Sequence, residues 1–328
     1  MAVSLRAESF PMQCGLNVER STRAVRTTIT LAAIVLILAS TGCGTGTSNL
    51  PAQTPTPAAK QGQIAFARGT QGDQHIFVVN ADGSGLTQLT TGKQTDGEPA
   101  WSPDGKKIVF YSDRGGTFQL YVMNADGTGA KLLLKDSGSD GFPDWSRDGT
   151  KIAFASLRKE VAQIYVMNSD GTGVKRLTNG TDSDFSPHWS KDGNKIAFDR
   201  DIGGANFEIF VMNSDGSGLT QLTSDPLQEE FPVWSPDGTK IAFFSDRDGQ
   251  VHIYVMNPDG TAAVRVSRDS ATEALPTWSP DGTKIAFASD RSGPGSIYVM
   301  SANGTGTKRI TNAAEEDRDP AWSPVISP

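Results

Sequence analysis

Six carboxylates recur at one position of this sequence, and acidic side chains arranged in a ring could bind a cation. Each lies five residues before a tryptophan: Asp96, Asp140, Asp184, Glu229, Glu273 and Asp317. If these side chains surrounded one opening, their mutual repulsion would favour a bound cation. Oxygen ligands suit calcium, whereas zinc prefers cysteine and histidine clusters, which this sequence lacks. The pattern predicts calcium at this ring; the alternative is that each carboxylate accepts backbone hydrogen bonds in its own loop.

Two positions closer to each tryptophan vary in chemistry from one copy to the next. Three residues before it stand Glu98, Phe142, Ser186, Phe231, Leu275 and Asp319. Directly before it stand Ala100, Asp144, His188, Val233, Thr277 and Ala321. A mixture of apolar and charged groups is typical of a peptide-binding site. We predict that a partner is bound by Glu98, Phe142, Asp144, His188, Phe231, Leu275 and Asp319. The alternative is that the aromatic residues are core.

The tryptophans themselves define a long repeat. All six are spaced 44 or 45 residues apart, at Trp101, Trp145, Trp189, Trp234, Trp278 and Trp322. Each unit contains four short apolar segments, among them "KIAF" and "IYVMN", and Asp-Gly pairs separate the first two and the last two. Asp-Gly between β-branched runs is a strong hairpin signal. Each unit is therefore predicted to be a four-stranded antiparallel sheet.

Packing of the units predicts the fold class. In "IYVM", Ile253 and Val255 face one way and Tyr254 and Met256 the other, so both sheet faces are apolar and both must be covered. Units of this length and pattern suit the blades of a β-propeller. The first "IAF", at Ile64, has no tryptophan before it, and Trp322 has no "IAF" after it. We predict an all-β, six-bladed propeller in which the strand around residues 320–323 completes the blade that begins at Gln63.

The repeat resembles a known family. The pattern P-x-W-S-P-D-G-x-K-I-A-F, followed by I-Y-V-M-N-x-D-G-T, is similar to the WD40-like propeller repeat of the TolB family over residues 62–324. The resemblance implies a bacterial envelope protein whose propeller binds other proteins through its central opening, as TolB binds the peptidoglycan-associated lipoprotein. The α/β domain that precedes the TolB propeller is expected to be absent, because a signal and a tether occupy that part of the sequence.

The N-terminal segment has the composition of an export signal. Arginines precede the apolar run "TTITLAAIVLILAS", which is short for a membrane-spanning helix and ends close to Cys43. The ending "STGC" resembles a bacterial lipobox, which implies lipidation of Cys43 and a membrane anchor; the alternatives are an uncleaved helix and simple secretion. The predicted organisation is a signal peptide at 1–42, a flexible Gly-, Pro- and Thr-rich tether at 43–61 and a propeller at 62–328. The propeller is expected to face the periplasm or the cell exterior.

Several function classes receive little support from the sequence. The net charge of −7 and the lack of a basic run in the repeats argue against a nucleic-acid partner. There is no GxSxG, Walker or dinucleotide motif, and His75, His188 and His252 occupy different repeat positions. The sequence therefore predicts a non-enzymatic binding protein with no required cofactor and an envelope protein or peptide as partner. A propeller lyase or glycosidase that uses a few carboxylates on a polysaccharide is the alternative.

Overall fold

The structure is a computed structural model that describes residues 62–135, 138–158, 161–203, 206–312 and 314–324. The first strands are β1 (Gln63–Thr70), β2 (Asp73–Asn80), β3 (Thr87–Gln88), β4 (Asp96–Trp101), β5 (Lys107–Ser112), β6 (Gln119–Asn124), β7 (Lys131–Leu132) and β8 (Ser139–Trp145). They are followed by β9 (Lys151–Leu157), β10 (Ala162–Asn168), β11 (Lys175–Arg176), β12 (Ser183–Trp189), β13 (Lys195–Asp201), β14 (Phe207–Asn213), β15 (Thr220–Gln221) and β16 (Glu229–Trp234). The last are β17 (Ile241–Ser245), β18 (His252–Met256), β19 (Val264–Arg265), β20 (Glu273–Trp278), β21 (Lys284–Ser289), β22 (Ser296–Ser301), β23 (Lys308–Arg309) and β24 (Asp317–Trp322).

These strands form six antiparallel blades of four strands each. Blade 1 has the order β24-β1-β2-β3, and blades 2 to 6 take β4–β7, β8–β11, β12–β15, β16–β19 and β20–β23 in turn. The tryptophan-bearing strand of each blade (β4, β8, β12, β16, β20 or β24) is called its inner strand here. The opposite edge of every blade is a strand of two residues, which leaves little unpaired backbone for edge-to-edge association.

The ring closes as the sequence predicts. The C-terminal strand β24 pairs with β1, so that Ile64 lies opposite Trp322 and Arg68 opposite Asp317. The backbone N–H of Ser323 donates to the carbonyl oxygen of Gln63 at 2.7 Å, and the N–H of Gln63 donates to Ser323 Oγ at 2.8 Å. Residues from the two ends of the described chain thus share one blade.

The core lies between blades and explains why the tryptophan recurs. Trp145 packs with Val109 and Leu120 of blade 2 and with Ile152 of its own blade 3. The "IYVM" strand of blade 5 contributes apolar side chains to the core on both of its faces, since Ile253 belongs to one apolar cluster and Tyr254 to another. Each sheet is therefore covered on both faces, which confirms the propeller prediction.

The Ser-x-Asp-Gly segments form the predicted hairpins. In blade 2, Ser102 Oγ donates to Asp104 Oδ1 at 2.6 Å and accepts the N–H of Lys107 at 2.9 Å. Gly105 has φ of 66°, in the left-handed region that glycine adopts without steric cost. These recurring residues build the turn. Among the described residues, no helix is long and apolar enough to cross a membrane.

Candidate functional site

A central cavity of about 260 Å³ lies at the tryptophan ends of the six inner strands. Every blade lines it with the tryptophan and with the residues one, two and three positions before it. The inner strands therefore fix its frame, and the residues that differ between blades set its chemistry. All seven predicted partner-binding residues line this one cavity: Glu98, Phe142, Asp144, His188, Phe231, Leu275 and Asp319.

The backbone turns abruptly three residues before each tryptophan. Glu98, Phe142, Ser186, Phe231, Leu275 and Asp319 have positive φ values of 48°, 53°, 48°, 54°, 57° and 54°. Glycine is absent from all six positions although the left-handed region costs other residues about 1 kcal/mol or more. The ladder between the inner strand and its neighbour shifts register at the same place, as a β-bulge does. The bulge thus determines the direction in which each varying side chain leaves its strand.

One side of the cavity is aromatic. The rings of Phe142 in blade 3 and Phe231 in blade 5 meet edge to face, with centroids 5.6 Å apart. Blade 4 lies between them and carries the small Ser186 at the corresponding position. Phe142 also contacts Phe185, and Phe231 stacks on Phe244. Both rings are only half-buried, so they serve the core and still present apolar surface to the cavity.

Another side carries two neighbouring acids. Asp319 accepts the backbone N–H of Glu98, and Glu98 Oε2 in turn accepts the N–H of Phe142 at 2.5 Å. Burial, reinforced by the charge of Asp319, raises the pKa of Glu98 well above its usual range. Burial also raises the pKa of Asp319, while the nearby Arg318 opposes that rise. The pair is expected to hold a proton under conditions in which exposed carboxyls are fully ionised.

The polar residues directly before the tryptophans bond to the next blade. Asp144 Oδ2 accepts the N–H of Trp189 at 2.8 Å, and His188 Nδ1 accepts the N–H of Trp234 at 3.2 Å. Burial raises the pKa of Asp144. Because Nδ1 of His188 is an acceptor, this bond assigns the ring proton to Nε2 in the neutral form.

The six recurring carboxylates lie at the opposite ends of the inner strands, and each has an arginine partner in its own blade. Asp317 pairs with Arg68 at 2.5 Å, Asp184 with Arg200 at 2.6 Å, Asp96 with Arg114 at 2.9 Å and Asp140 with Arg158 at 3.9 Å. Glu229 and Glu273 bond to Arg247 and Arg291. The carboxylate side chains are almost fully buried.

This pairing corrects the premise of the calcium prediction. A cation was expected because six unpaired charges would repel one another, but an arginine compensates each charge locally. Among the described residues, no group of three or more acidic, histidine or cysteine side chains is arranged to hold a metal ion. The alternative was that each acid accepts backbone hydrogen bonds in its own loop, whereas the partner that the structure shows is an arginine side chain of the same blade.

Sequence reasoning missed the arginines. Each stacks over one or two aromatic rings of its blade; the guanidinium of Arg114, for example, lies 4.9 Å from the ring centre of Tyr121. Arg68 follows Phe66 by two residues, whereas Arg114 follows Phe110 by four. These arginines recur once per blade, and this recurrence is the signal that could have revealed them. They form a carboxylate, arginine and aromatic stack that stabilises each blade.

A second pair of acids was also missed. Asp199 on β13 accepts the N–H of Phe231 at 3.2 Å. Burial raises the pKa of Asp199 to about 7. Burial, together with the charge of Asp199, raises the pKa of Glu230 to about 8. These residues do not recur in the other blades, so the period gave no signal for them.

Comparison with known proteins places the fold. A family model for the TolB beta propeller domain matches residues 30–136, 128–229, 203–274 and 228–326. The crystal structure of TolB from Acinetobacter baumannii superimposes with a TM-score of 0.74 at 24% identity, covering 82% of this chain and 68% of that one. At this level of identity, the likeness to a solved structure is one of fold.

Two curated relatives match over short segments. A protein TolB homolog from Chlorobium luteolum is 38% identical over 55 residues, which is 17% of this chain and 13% of that protein. A dipeptidyl-peptidase 5 from Porphyromonas gingivalis is 46% identical over 44 residues, or 13% of this chain and 6% of the peptidase. The chain therefore matches only a small part of either relative. The family match, in contrast, spans most of the chain together with all six blades. The chain belongs to the TolB β-propeller family.

Proposed function

We propose that this chain is a non-enzymatic binding protein of the cell envelope that holds a peptide segment of a protein partner in the central cavity. The observation that carries the proposal is that the strands around the cavity repeat from blade to blade, whereas the side chains that line the cavity do not. Six inner strands that share an acid, a proline and the tryptophan build the frame, while the residues one and three positions before each tryptophan differ from blade to blade. Protein interaction in general agrees with the TolB-like propeller.

The mixture of contacts favours an extended peptide over a uniformly polar ligand. The Phe142–Phe231 pair offers an apolar surface for a side chain, and Leu275 extends it. Glu98 and Asp319 offer acceptors on a different side of the cavity. A peptide with side chains of unlike character can satisfy both regions at once, and a rigid β frame keeps the ordering cost on the protein side small.

The same proposal includes export and anchoring. The apolar run and Cys43 support an exported lipoprotein that is held at the membrane by its lipid and has its propeller in the periplasm or outside the cell. Cys43 and the segment around it lie outside the described residues.

A capture experiment with matched variants tests the binding role. The mature protein is used to capture partners from envelope extract, alongside a Phe142→Ala/Phe231→Ala variant and a Leu86→Ala control. Leu86 is 49% exposed beside the outer edge of blade 1, away from the cavity. A partner retained by the parent and the control but lost by the double variant supports the proposal. If capture is unaffected by the cavity variant, the partner binds elsewhere.

The polysaccharide alternative is tested separately. Incubation with polyuronides and other glycans, followed by measurement of new chain ends, should give no product above that of a heat-denatured sample. New ends that disappear in a Glu98→Gln/Asp319→Asn variant would overturn the non-enzymatic assignment.

A further inference from the structure

The hairpins at the tryptophan end of the cavity differ in charge between blades. Two residues after the tryptophan, four blades carry a proline: Pro103, Pro236, Pro280 and Pro324. Blades 3 and 4 carry Arg147 and Lys191 instead, and all six residues line the cavity. Proline is compatible with this turn, so the hairpin itself does not require a basic residue. Blades 3 and 4, which are adjacent, therefore place two positive charges on one side of the cavity. This side, with Arg147 and Lys191, is called the sector here.

Both basic side chains are available to a ligand. Arg147 and Lys191 are exposed. In the part of the chain that the structure describes, neither makes an ion pair or a side-chain hydrogen bond. Asp144 is the acid whose pKa Arg147 influences, and its Oδ2 is already engaged by the N–H of Trp189. Asp144 also interacts with His188, so this one carboxyl offsets part of the positive charge, which Arg147 and Lys191 together exceed.

The indole N–H groups of the tryptophans also differ between blades. Trp101 and Trp278 donate their indole N–H to the carbonyl oxygens of Ala321 and Val233 at 3.2 and 3.1 Å. The indole N–H groups of blades 3, 4 and 5, in Trp145, Trp189 and Trp234, are buried without a partner among the described residues. Two of these three tryptophans, Trp145 and Trp189, belong to the blades that carry Arg147 and Lys191.

His188 adds a hydrogen-bond donor to those of Arg147 and Lys191. Its Nδ1 accepts the N–H of Trp234, so Nε2 carries the ring proton, and the side chain lines the same cavity. The acids Glu98 and Asp319 stand three residues before their tryptophans, while Arg147 and Lys191 stand two residues after theirs. Glu98 and Asp319 consequently lie at a different depth of the cavity from Arg147 and Lys191, whereas Asp144 shares the repeat position of His188.

We propose that Arg147, Lys191 and His188 form a subsite for a carboxylate side chain of the bound peptide. The inference rests on the proposed function and specifies its ligand: a segment with Asp or Glu close to an apolar residue that packs on Phe142 and Phe231. Arginine and lysine bind carboxylates by charge-assisted hydrogen bonds, and the open, exposed position makes this attraction dependent on salt.

The protein supplies its own matched variant for a test. Arg147→Pro/Lys191→Pro gives blades 3 and 4 the residue found in the other four blades, so the hairpins should keep their structure. The control is Lys131→Gln/Lys175→Gln, which removes the same number of positive charges from the exposed edge strands β7 and β11. Unchanged thermal unfolding of both variants verifies that the fold is retained.

Selection of displayed random dodecapeptides on the parent and on both variants provides the ligands. The parent and the control should enrich peptides with Asp or Glu next to an apolar residue, and the proline variant should not. At low salt, the parent should bind a selected peptide about tenfold more tightly than it binds the same peptide with Glu replaced by Gln and Asp by Asn. This difference in affinity should shrink as the salt concentration rises. The same peptide should lose about tenfold in affinity on the proline variant.

The outcomes separate the two proposals. If apolar peptides bind in a manner that depends on Phe142 and Phe231 but acidic residues have no effect, the carboxylate subsite is wrong and the binding role stands. If no peptide is selected, both are wrong. A third outcome is that oligogalacturonate binds the parent and binds the proline variant more weakly, while no acidic peptide shows this difference. The sector then recognises a uronate, and the peptide inference is overturned.

Discussion

Replacement of Asp199 with Asn should make the protein more stable at alkaline pH. Asp199 is almost fully buried, and burial raises its pKa from 3.8 to about 7. Because the folded pKa lies above the unfolded one, the folded protein binds the proton more tightly, and stability falls as the pH rises from about 4 to about 7. At about 1.4 kcal/mol per pKa unit, a shift of this size corresponds to about 4 kcal/mol at full ionisation. The asparagine cannot ionise, and its oxygen can still accept the N–H of Phe231.

Urea unfolding of the parent and the Asp199→Asn variant, measured from pH 4 to pH 9, tests this reasoning. The variant should gain about 2 to 4 kcal/mol relative to the parent as the pH rises through this window. Asp215→Asn is the control of opposite sign, since a hydrogen bond from Ser217 lowers the pKa of this exposed acid. The stabilisation from an acid with a lowered pKa is complete above about pH 5, so the stability difference between this variant and the parent should stay constant from there to pH 9 and shrink only as the pH falls below about 4. A stability difference between parent and Asp199→Asn that does not change with pH would refute the assignment of a raised pKa.

Three further changes give distinct outcomes. Deletion of 318–328 removes most of β24 and should unfold or strongly destabilise the whole ring, whereas deletion of 325–328 should leave the thermal transition unchanged; equal transitions for the two truncations would contradict closure. Asp96→Asn removes the charge partner of Arg114 and should cost about 3 kcal/mol in urea unfolding, against less than about 0.5 kcal/mol for the exposed Asp73→Asn. Cys43→Ser should move the protein from the membrane fraction to the soluble fraction, and an unaltered distribution would favour an uncleaved anchor.

The sequence was sufficient to predict the fold because each unit repeats the same local signals. Asp104 and Gly105 mark a hairpin, and Trp101 marks the inner strand, in a pattern that returns with a constant period. The pairing of Trp322 with Ile64 could be predicted by counting incomplete units at the two ends. The turn residues and the period indicate the same strand boundaries in every blade. The pairing of strands that are distant in the sequence could therefore be predicted from local signals.

The site was less accessible to sequence reasoning, for two physical reasons. Asp96 and Arg114 come from different strands, and their contact depends on how the strand ends meet, which the period does not encode. Glu98 and Phe142 adopt left-handed backbone conformations although neither is a residue type that favours them, so the bulge was invisible to propensity. Arg147 occupies a position that reads as part of a turn, and only the cavity shows that it borders the candidate site.

Photo-crosslinking in cells tests the binding role most directly. A photoreactive phenylalanine analogue replaces Thr277, which lines the central cavity, and in a parallel protein it replaces the exposed Leu86. Our account predicts a discrete protein adduct from the Thr277 position, its loss on addition of Phe142→Ala and Phe231→Ala, and no such adduct from the Leu86 position. An adduct that forms only from Leu86, or one from Thr277 that persists in the double alanine variant, would contradict binding in the central cavity.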